Sequence, residues 1–139
     1  MLFRSGDGLL AFFGAPQPLE NAERCALEAA QGLLEGLQDV NERLRQQGQP
    51  PLVVGVGIHT GEVVLGHVGG ATHQEYTAIG AVINLAARLC ADAADGQILA
   101  SGRLAASIED IAVAEDLGER TLRGMTRPVA VRNLTSLKG

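Results

Sequence analysis

One long amphipathic pattern limits the folds open to this chain. Between Leu19 and Gln47, apolar residues recur every three or four positions with Glu, Gln and Arg between them, which predicts a helix with one apolar face. Gly48 and the pair Pro50–Pro51 end this helix, because glycine favours a helix C-terminus and proline cannot continue one. The other apolar runs are strand-sized, so the chain is predicted to be mixed α and β.

Shorter patterns predict the remaining elements. A second helix is expected from Gly80 to about Ala94, and a third, capped by Ser101, through Ser107. Residues 71–78 are expected to form a polar loop or a short edge strand. Short apolar or alternating runs predict strands at 8–13, 52–59, 62–68, 97–100, 111–114, 120–123 and 129–134, with turns at 5–8, 117–119 and 124–128. This order indicates hairpins rather than regular βαβ units.

Length and charge exclude several classes of protein. The 139 residues, 46% of them hydrophobic, suffice for one domain with a core, so residues 1–139 are predicted to form a single domain. The net charge of -5 argues against nucleic acid and anionic lipid as partners. No apolar run is long enough for a membrane span, and a cytoplasmic domain without membrane insertion is expected. Cys25 and Cys90 are predicted to be free thiols.

Three familiar motifs are absent or incomplete. The segment 55–61, Gly-Val-Gly-Ile-His-Thr-Gly, superficially resembles a dinucleotide fingerprint, but its last glycine is displaced and a strand is predicted after it. No Gly-Lys-Ser/Thr of a phosphate-binding P-loop occurs. His59, His67 and His73 lack the spacing of a metal site.

Three polar residues lie where ordinary packing does not require them. Asn84 and Arg88 are one helical turn apart in an Ala- and Leu-rich helix, so they share a face. Asp7 lies in a glycine-flanked turn, where a carboxylate could bind Mg²⁺ together with substrate phosphates. Each has an ordinary alternative, since Asp is common in turns and the helix pair could occupy a solvent edge. Together they match the needs of phosphoryl transfer, which depends on positioning and charge stabilisation.

Four sequence blocks carry a resemblance to a known family: 5–14 (SGDGLLAFFG), 55–61 (GVGIHTG), 76–89 (YTAIGAVINLAARL), and 117–119 with 122–124 (LGE and LRG). In this order they resemble the catalytic domain of bacterial class III adenylate and guanylate cyclases. The resemblance implies a ferredoxin-like α+β domain, with helices packed on an antiparallel-rich mixed sheet. It also implies a head-to-tail homodimer with nucleotide sites between the subunits.

The resemblance assigns roles to residues of this chain. It implies that the ribose 3′-hydroxyl of a nucleoside triphosphate attacks the α-phosphorus, releasing pyrophosphate. Asp7 matches the second of two aspartates that hold two Mg²⁺ or Mn²⁺ ions. Asn84 matches the residue that orients the ribose, and Arg88 the residue that stabilises charge on the α-phosphate. Arg123 stands where a lysine usually contacts the triphosphate.

Two features depart from the family pattern: the residues expected to recognise the base, and the number of metal-binding aspartates. By the resemblance, the base-recognising positions are occupied by Phe3, three residues before Gly6 of the nucleotide-binding Gly-Asp turn, and by Thr77. Together these residues favour ATP over GTP. The family's first metal aspartate lies on an opening strand that is absent here, so the domain is expected to be N-terminally truncated and inactive or weak. The hypotheses are therefore an adenylate cyclase domain and a non-catalytic, cyclase-like module that binds nucleotide or a partner cyclase subunit. A diguanylate cyclase is disfavoured, because no Gly-Gly-Asp/Glu-Glu-Phe-like turn occurs.

Overall fold

The computed structural model describes residues 2–5, 8–14, 19–61 and 73–137. Within these ranges the fold is α+β, as predicted from the sequence. The elements are β1 (Leu2–Ser5), β2 (Gly8–Ala11), α1 (Ala22–Gln46), β3 (Val56–Ile58), α2 (His73–Asp92), β4 (Ile98–Ser101), α3 (Gly102–Ser107), β5 (Ala112–Arg120) and β6 (Val129–Leu137).

The strands form two sheets. β1 and β2 pair antiparallel with Ser5 opposite Gly8, so the predicted hairpin is confirmed. The second sheet has the order β3-β4-β6-β5, in which β3 and β4 are parallel and the other pairs are antiparallel. β3 and β4 are parallel, so the chain crosses over between them, and α2 lies on this crossover. The hairpin expected from strands 52–59 and 62–68 stays a prediction, because residues 62–72 lie outside the described residues.

Side chains alternate across β3 and β4 and build a core on each face of the four-stranded sheet. The face covered by α1 and α3, here called the α1–α3 face, buries Leu27, Ala30, Ile58, Ile98, Ala100, Leu104, Ala105, Ile108, Ala112 and Leu134. The opposite face, here called the α2 face, buries Leu89, Leu99, Leu122 and Val131, with Leu85, Ala93, Leu117 and Met125 packed around them.

Two glycines allow α2 to lie directly on β3. A Cβ on Gly57 would collide with the backbone of Cys90 and Ala86, and one on Gly55 would come within 2.8 Å of the Ala93 Cβ. The spacing that superficially resembles a dinucleotide fingerprint is therefore explained by close packing of a helix on a strand.

The first half of the chain follows the prediction with three differences. β2 ends at Ala11 instead of Phe13. α1 begins at Ala22 instead of Leu19. β3 is much shorter than the predicted strand 52–59, because the Asn41 side chain of α1 bonds both backbone groups of Leu52, accepting from its N–H at 2.8 Å and donating to its C=O at 3.1 Å. These peptide groups have their partners in a helix side chain instead of a neighbouring strand. The predicted strand 62–68 lies outside the described residues.

α2 is longer than predicted. It begins at His73, so the loop or edge strand expected at 71–78 was wrong from His73 onward. Gly80, taken as the helix start, lies inside α2, and no described atom lies within 4 Å of the position of a Cβ there. A glycine inside a helix costs about 1 kcal/mol relative to alanine without ending it. The residues His73-Gln74-Glu75 include good helix formers.

The C-terminal third combines confirmed and corrected predictions. β4 and α3 are confirmed, and the Ser101 side chain caps α3 by accepting from the Leu104 N–H at 3.3 Å. β5 continues through the turn expected at 117–119, where the pairing with β6 shifts register between Asp116 and Glu119. The strand predicted at 120–123 was wrong beyond Arg120, because residues 121–128 connect β5 to β6 outside the sheet.

Two further observations concern cysteines and membranes. Cys25 and Cys90 are free, as predicted, although Cys90 is exposed. In the ranges that the structure describes, no helix combines the length and apolar character needed to cross a bilayer.

Candidate active site

The predicted pair on α2 meets the turn that follows β5. Asn84 is exposed, and its Nδ2 donates to the Met125 Sδ at 3.9 Å, a weak hydrogen bond because thioether sulfur is a poor acceptor. Arg88 is half-buried, and its guanidinium lies on the backbone of Gly124. The shared helix face predicted from the spacing therefore packs against one turn, residues 122–125.

Local sequence explains the shape of this turn. Leu122 is buried in the α2-face core and anchors one end. The Met125 N–H donates to the Leu122 C=O at 2.9 Å and closes the turn. Gly124, at the third position, has φ +82°, a conformation that glycine adopts without a steric penalty. The turn is thus fixed by an apolar anchor, one backbone hydrogen bond and one glycine.

The Arg88 guanidinium has one donor without a partner. Its Nε is buried, and no acceptor among the described residues bonds it. A buried donor left unsatisfied costs about 1–3 kcal/mol, so this arrangement does not maximise stability. An anionic oxygen reaching Nε would satisfy the donor and gain a charge-assisted hydrogen bond. The site is therefore suited chemically to a phosphate or carboxylate ligand.

Arg123 adds a second cation to the same turn. It is exposed and immediately precedes Gly124. A chain of net charge -5 thus carries two arginines where α2 meets residues 122–125. The structure brings Asn84 and Arg88 to the turn that contains Arg123.

The other predicted site residues have less structural description. Gly6 and Asp7 lie outside the described residues, between the paired ends of β1 and β2. Phe3 lies in β1 opposite Leu10. Thr77 lies in α2, seven residues before Asn84. Two helical turns separate these positions, so Thr77 and Asn84 are on one side of the helix backbone.

The sequence predicts one metal ligand for this site, Asp7. Among the residues that the structure describes, no three His, Cys, Asp or Glu side chains converge to hold a metal ion. Asp7 belongs to the two-residue connection between β1 and β2, and a carboxylate oxygen is the kind of donor that Mg²⁺ takes together with substrate phosphates. His59 is engaged elsewhere, with its Nδ1 2.7 Å from the Ser101 Oγ.

Comparison with known proteins decides the family. The model of the adenylate and guanylate cyclase catalytic domain matches residues 4–132. The chain belongs to this family. The resemblance drawn from the four sequence blocks is thereby confirmed.

Solved structures of cyclases share the fold. The adenylyl cyclase CyaB from P. aeruginosa is 26% identical with a TM-score of 0.76, over 99% of this chain and 71% of that one. The guanylyl cyclase Cya2 is 30% identical with a TM-score of 0.78, at the same coverage of 99% and 71%. The α+β cyclase fold is therefore shared with an adenylyl and a guanylyl cyclase.

Curated relatives are longer proteins. The uncharacterised protein Rv1319c of Mycobacterium tuberculosis is 39% identical over 128 residues, which are 89% of this chain and 22% of that protein. A second uncharacterised protein of the same organism, Rv1320c, is 38% identical over 128 residues, 89% of this chain and 21% of that protein. This cyclase domain thus spans about a fifth of these relatives.

Sequence reasoning missed two residues of the site. Gly124 and Met125 were assigned only to a turn, although they are the residues that Arg88 and Asn84 contact. The sequence block Leu122-Arg123-Gly124 could have indicated Gly124, but the resemblance assigned a role only to Arg123. In this cyclase domain the glycine gives the arginine side chain its space.

Proposed function

We propose that this domain is a nucleotidyl cyclase that converts ATP into cyclic 3′,5′-AMP and pyrophosphate. The observation that carries the proposal is the Arg88 guanidinium, which lies against Gly124 one helical turn from Asn84. Its Nε is buried, and no acceptor in the described ranges bonds it. Such a group is pre-positioned for a developing negative charge. The family to which the chain belongs supports the same reaction.

The proposed reaction needs three contributions from this chain. The 3′-oxygen forms a bond to the α-phosphorus and loses its proton, while the bond from the α-phosphorus to the bridging oxygen breaks and pyrophosphate leaves. Arg88 stabilises the charge that develops on the α-phosphate oxygens. Asn84 orients the ribose through its amide, and Arg123 binds the outer phosphates. Positioning and charge stabilisation of this kind supply most of the catalysis in phosphoryl transfer.

We assign the metal to Asp7. Bound Mg²⁺ or Mn²⁺ supplies positive charge to the phosphates and lowers the pKa of the attacking hydroxyl. Asp7 is a single carboxylate, whereas the resemblance implies two, so we expect weak activity from this chain alone.

We further propose ATP as the substrate, with GTP as the weaker alternative. Phe3 has no group that can hydrogen-bond to a base edge, and Thr77 has one hydroxyl, whereas guanine recognition requires more polar contacts. Because its substrate is an intracellular nucleotide, we expect the domain to work in the cytoplasm. We expect two copies to pair head to tail, so that each site takes residues from both.

The test is an assay of the products formed from ATP and from GTP, each offered separately. The chain is incubated with ATP or GTP in Mn²⁺ over a range of protein concentrations, and the products are resolved by chromatography. The proposal expects cyclic AMP, at a specific activity that rises with protein concentration because the site forms between two subunits. Arg88→Ala removes this activity. Arg24→Ala, which breaks an exposed ion pair with Glu28 on α1, leaves it unchanged.

The other outcomes separate the alternatives. Binding of ATP without any cyclic product indicates the non-catalytic module. Cyclic GMP as the main product contradicts the assigned base preference, and equal activity of Arg88→Ala and the unaltered chain contradicts the assigned site.

A further inference from the structure

We infer that Gly124 is a positioning residue for the proposed reaction: its missing side chain and left-handed backbone fix the place of the Arg88 guanidinium. This inference rests on the proposed function for its effect on catalysis. The contact itself is independent of that function.

The geometry places the guanidinium directly over the glycine. From the position that a Cβ on Gly124 would take, the Arg88 Nη2 is 3.3 Å away, the Cζ 3.4 Å and the Nε 3.5 Å. Three atoms of one planar group at nearly equal distances show that the guanidinium lies across the glycine. A Cβ at position 124 would therefore be tighter than usual against Nη2 and in van der Waals contact with Cζ and Nε.

The turn beneath the guanidinium is held in place from both ends. Leu122 is 4% exposed in the α2-face core, and the Met125 N–H bonds to the Leu122 C=O. Leu89, which follows Arg88 on α2, is buried in the same cluster. The helix that carries Arg88 and the turn that carries Gly124 therefore pack on one core, and this core fixes their separation.

A small displacement of the guanidinium is enough to affect the reaction. A Cβ at 3.3 Å requires Arg88 to move by a few tenths of an ångström, and the side chain is flexible enough to do so. Misplacement of a catalytic group by about 1 Å costs about 100-fold in rate. Gly124→Ala is therefore expected to lower kcat by about 5- to 10-fold while KM changes by less than about 3-fold, because the substrate keeps its other contacts.

Gly48 provides a matched control for the effect of backbone strain alone. Gly48, at the C-terminal end of α1, has φ +73° and nothing within 4 Å of the position of its Cβ. Gly48→Ala imposes the same kind of backbone strain as Gly124→Ala. It does so without touching an arginine, so the difference between the two variants isolates the contact with Arg88.

The experiment observes the Nε–H signal of Arg88 by NMR. In ¹H–¹⁵N spectra, this signal is identified as the one that is present in the unaltered chain and missing from Arg88→Lys. A buried Nε–H is expected to exchange slowly with solvent. Gly124→Ala is expected to shift this signal and to change its exchange rate, since the guanidinium is displaced by a few tenths of an ångström. Gly48→Ala is expected to leave it unchanged.

Two results would overturn the inference. One is an Arg88 Nε–H signal with the same shift and exchange rate in Gly124→Ala as in the unaltered chain. The other is an equal fall in kcat for Gly124→Ala and Gly48→Ala. Absence of cyclic product from every protein, the unaltered chain included, counts against the proposed function alone, because the Nε–H signal then decides the inference without catalysis.

Discussion

The two faces of the four-stranded sheet differ in what they bury. Among the residues that the structure describes, the α1–α3 face buries ten apolar residues in one cluster and the α2 face buries four. Beside the four lies the Arg88 guanidinium, whose buried Nε has no hydrogen-bond partner in the same part of the chain. A polar group that costs stability is retained where it has another use. We therefore expect the α1–α3 face mainly to stabilise the fold, and the α2 face to carry the proposed site.

The largest expected effect is a loss of activity without a loss of stability, when Arg88 on the α2 face is replaced. Arg88→Met is expected to lower kcat by about 100- to 1000-fold, because removal of a pre-positioned charge of this kind costs about 3–4 kcal/mol in the transition state. The free energy of unfolding should not fall, since the variant also removes the unsatisfied donor and keeps the aliphatic part of the side chain. Parallel rate assays and urea unfolding check both. A marked loss of stability in this variant would break the comparison.

On the α1–α3 face we expect the reverse, a loss of stability without a loss of activity. Leu27 is 0% exposed, and Leu27→Ala should lower the free energy of unfolding by about 3 kcal/mol, the usual cost of a cavity of this size. The kcat of the folded protein should stay unchanged. Leu33→Ala on the same helix is the control, because Leu33 is 47% exposed and its loss should cost less than about 0.5 kcal/mol. Urea titrations followed by circular dichroism measure both variants.

A smaller effect is expected at the cap of α3. Ser101 is buried, accepts from the Leu104 N–H and contacts the His59 Nδ1. Ser101→Ala should cost about 1–2 kcal/mol in unfolding free energy, because a helix N-cap is lost in a buried position. Ser107→Ala, at the exposed end of the same helix, serves as the control. Equal effects of the two changes would show that the cap contributes little.

The smallest expected effect is a dependence of stability on pH at His59. Burial, reinforced by the positive charge of Arg103, lowers the pKa of His59 below its ordinary value of 6.5. The unfolded chain therefore binds the proton more readily, so stability is full above about pH 6.5 and falls as the pH drops below it. His59→Gln should reduce the difference in unfolding free energy between pH 7.5 and pH 5.5. An unchanged difference would assign the dependence to other groups.

Sequence patterns predicted the elements of this fold well where one local force dominates. The long helix α1 follows from its apolar period, and α3 follows from the capping serine. Errors occur where a distant contact decides. Asn41 takes the backbone groups of Leu52 and so shortens β3, and this contact has no signal within the strand segment itself. The start of α2 was misplaced for another reason, because one glycine does not end a helix and α2 runs through Gly80.

The candidate site was predicted in part for the same reason. The spacing of Asn84 and Arg88 places them on one face because helical geometry is local. Their contacts with Met125 and Gly124 join residues 41 and 36 positions apart, and these became visible only in three dimensions. The roles of all the predicted site residues stay predictions: Phe3, Gly6, Asp7, Thr77, Asn84, Arg88 and Arg123.

The most direct test of the difference between the two faces is a nucleotide titration followed by NMR. The ligand is 3′-deoxy-ATP with Mg²⁺, which binds as a substrate would but lacks the attacking hydroxyl. We expect chemical-shift changes at the amides of residues 84–88 and 122–125 and at the Arg88 Nε–H, with the α1–α3 face unaffected. Changes centred instead on the groove between α3 and β5, near Glu109 and Arg132, or no change at millimolar ligand, would contradict the account.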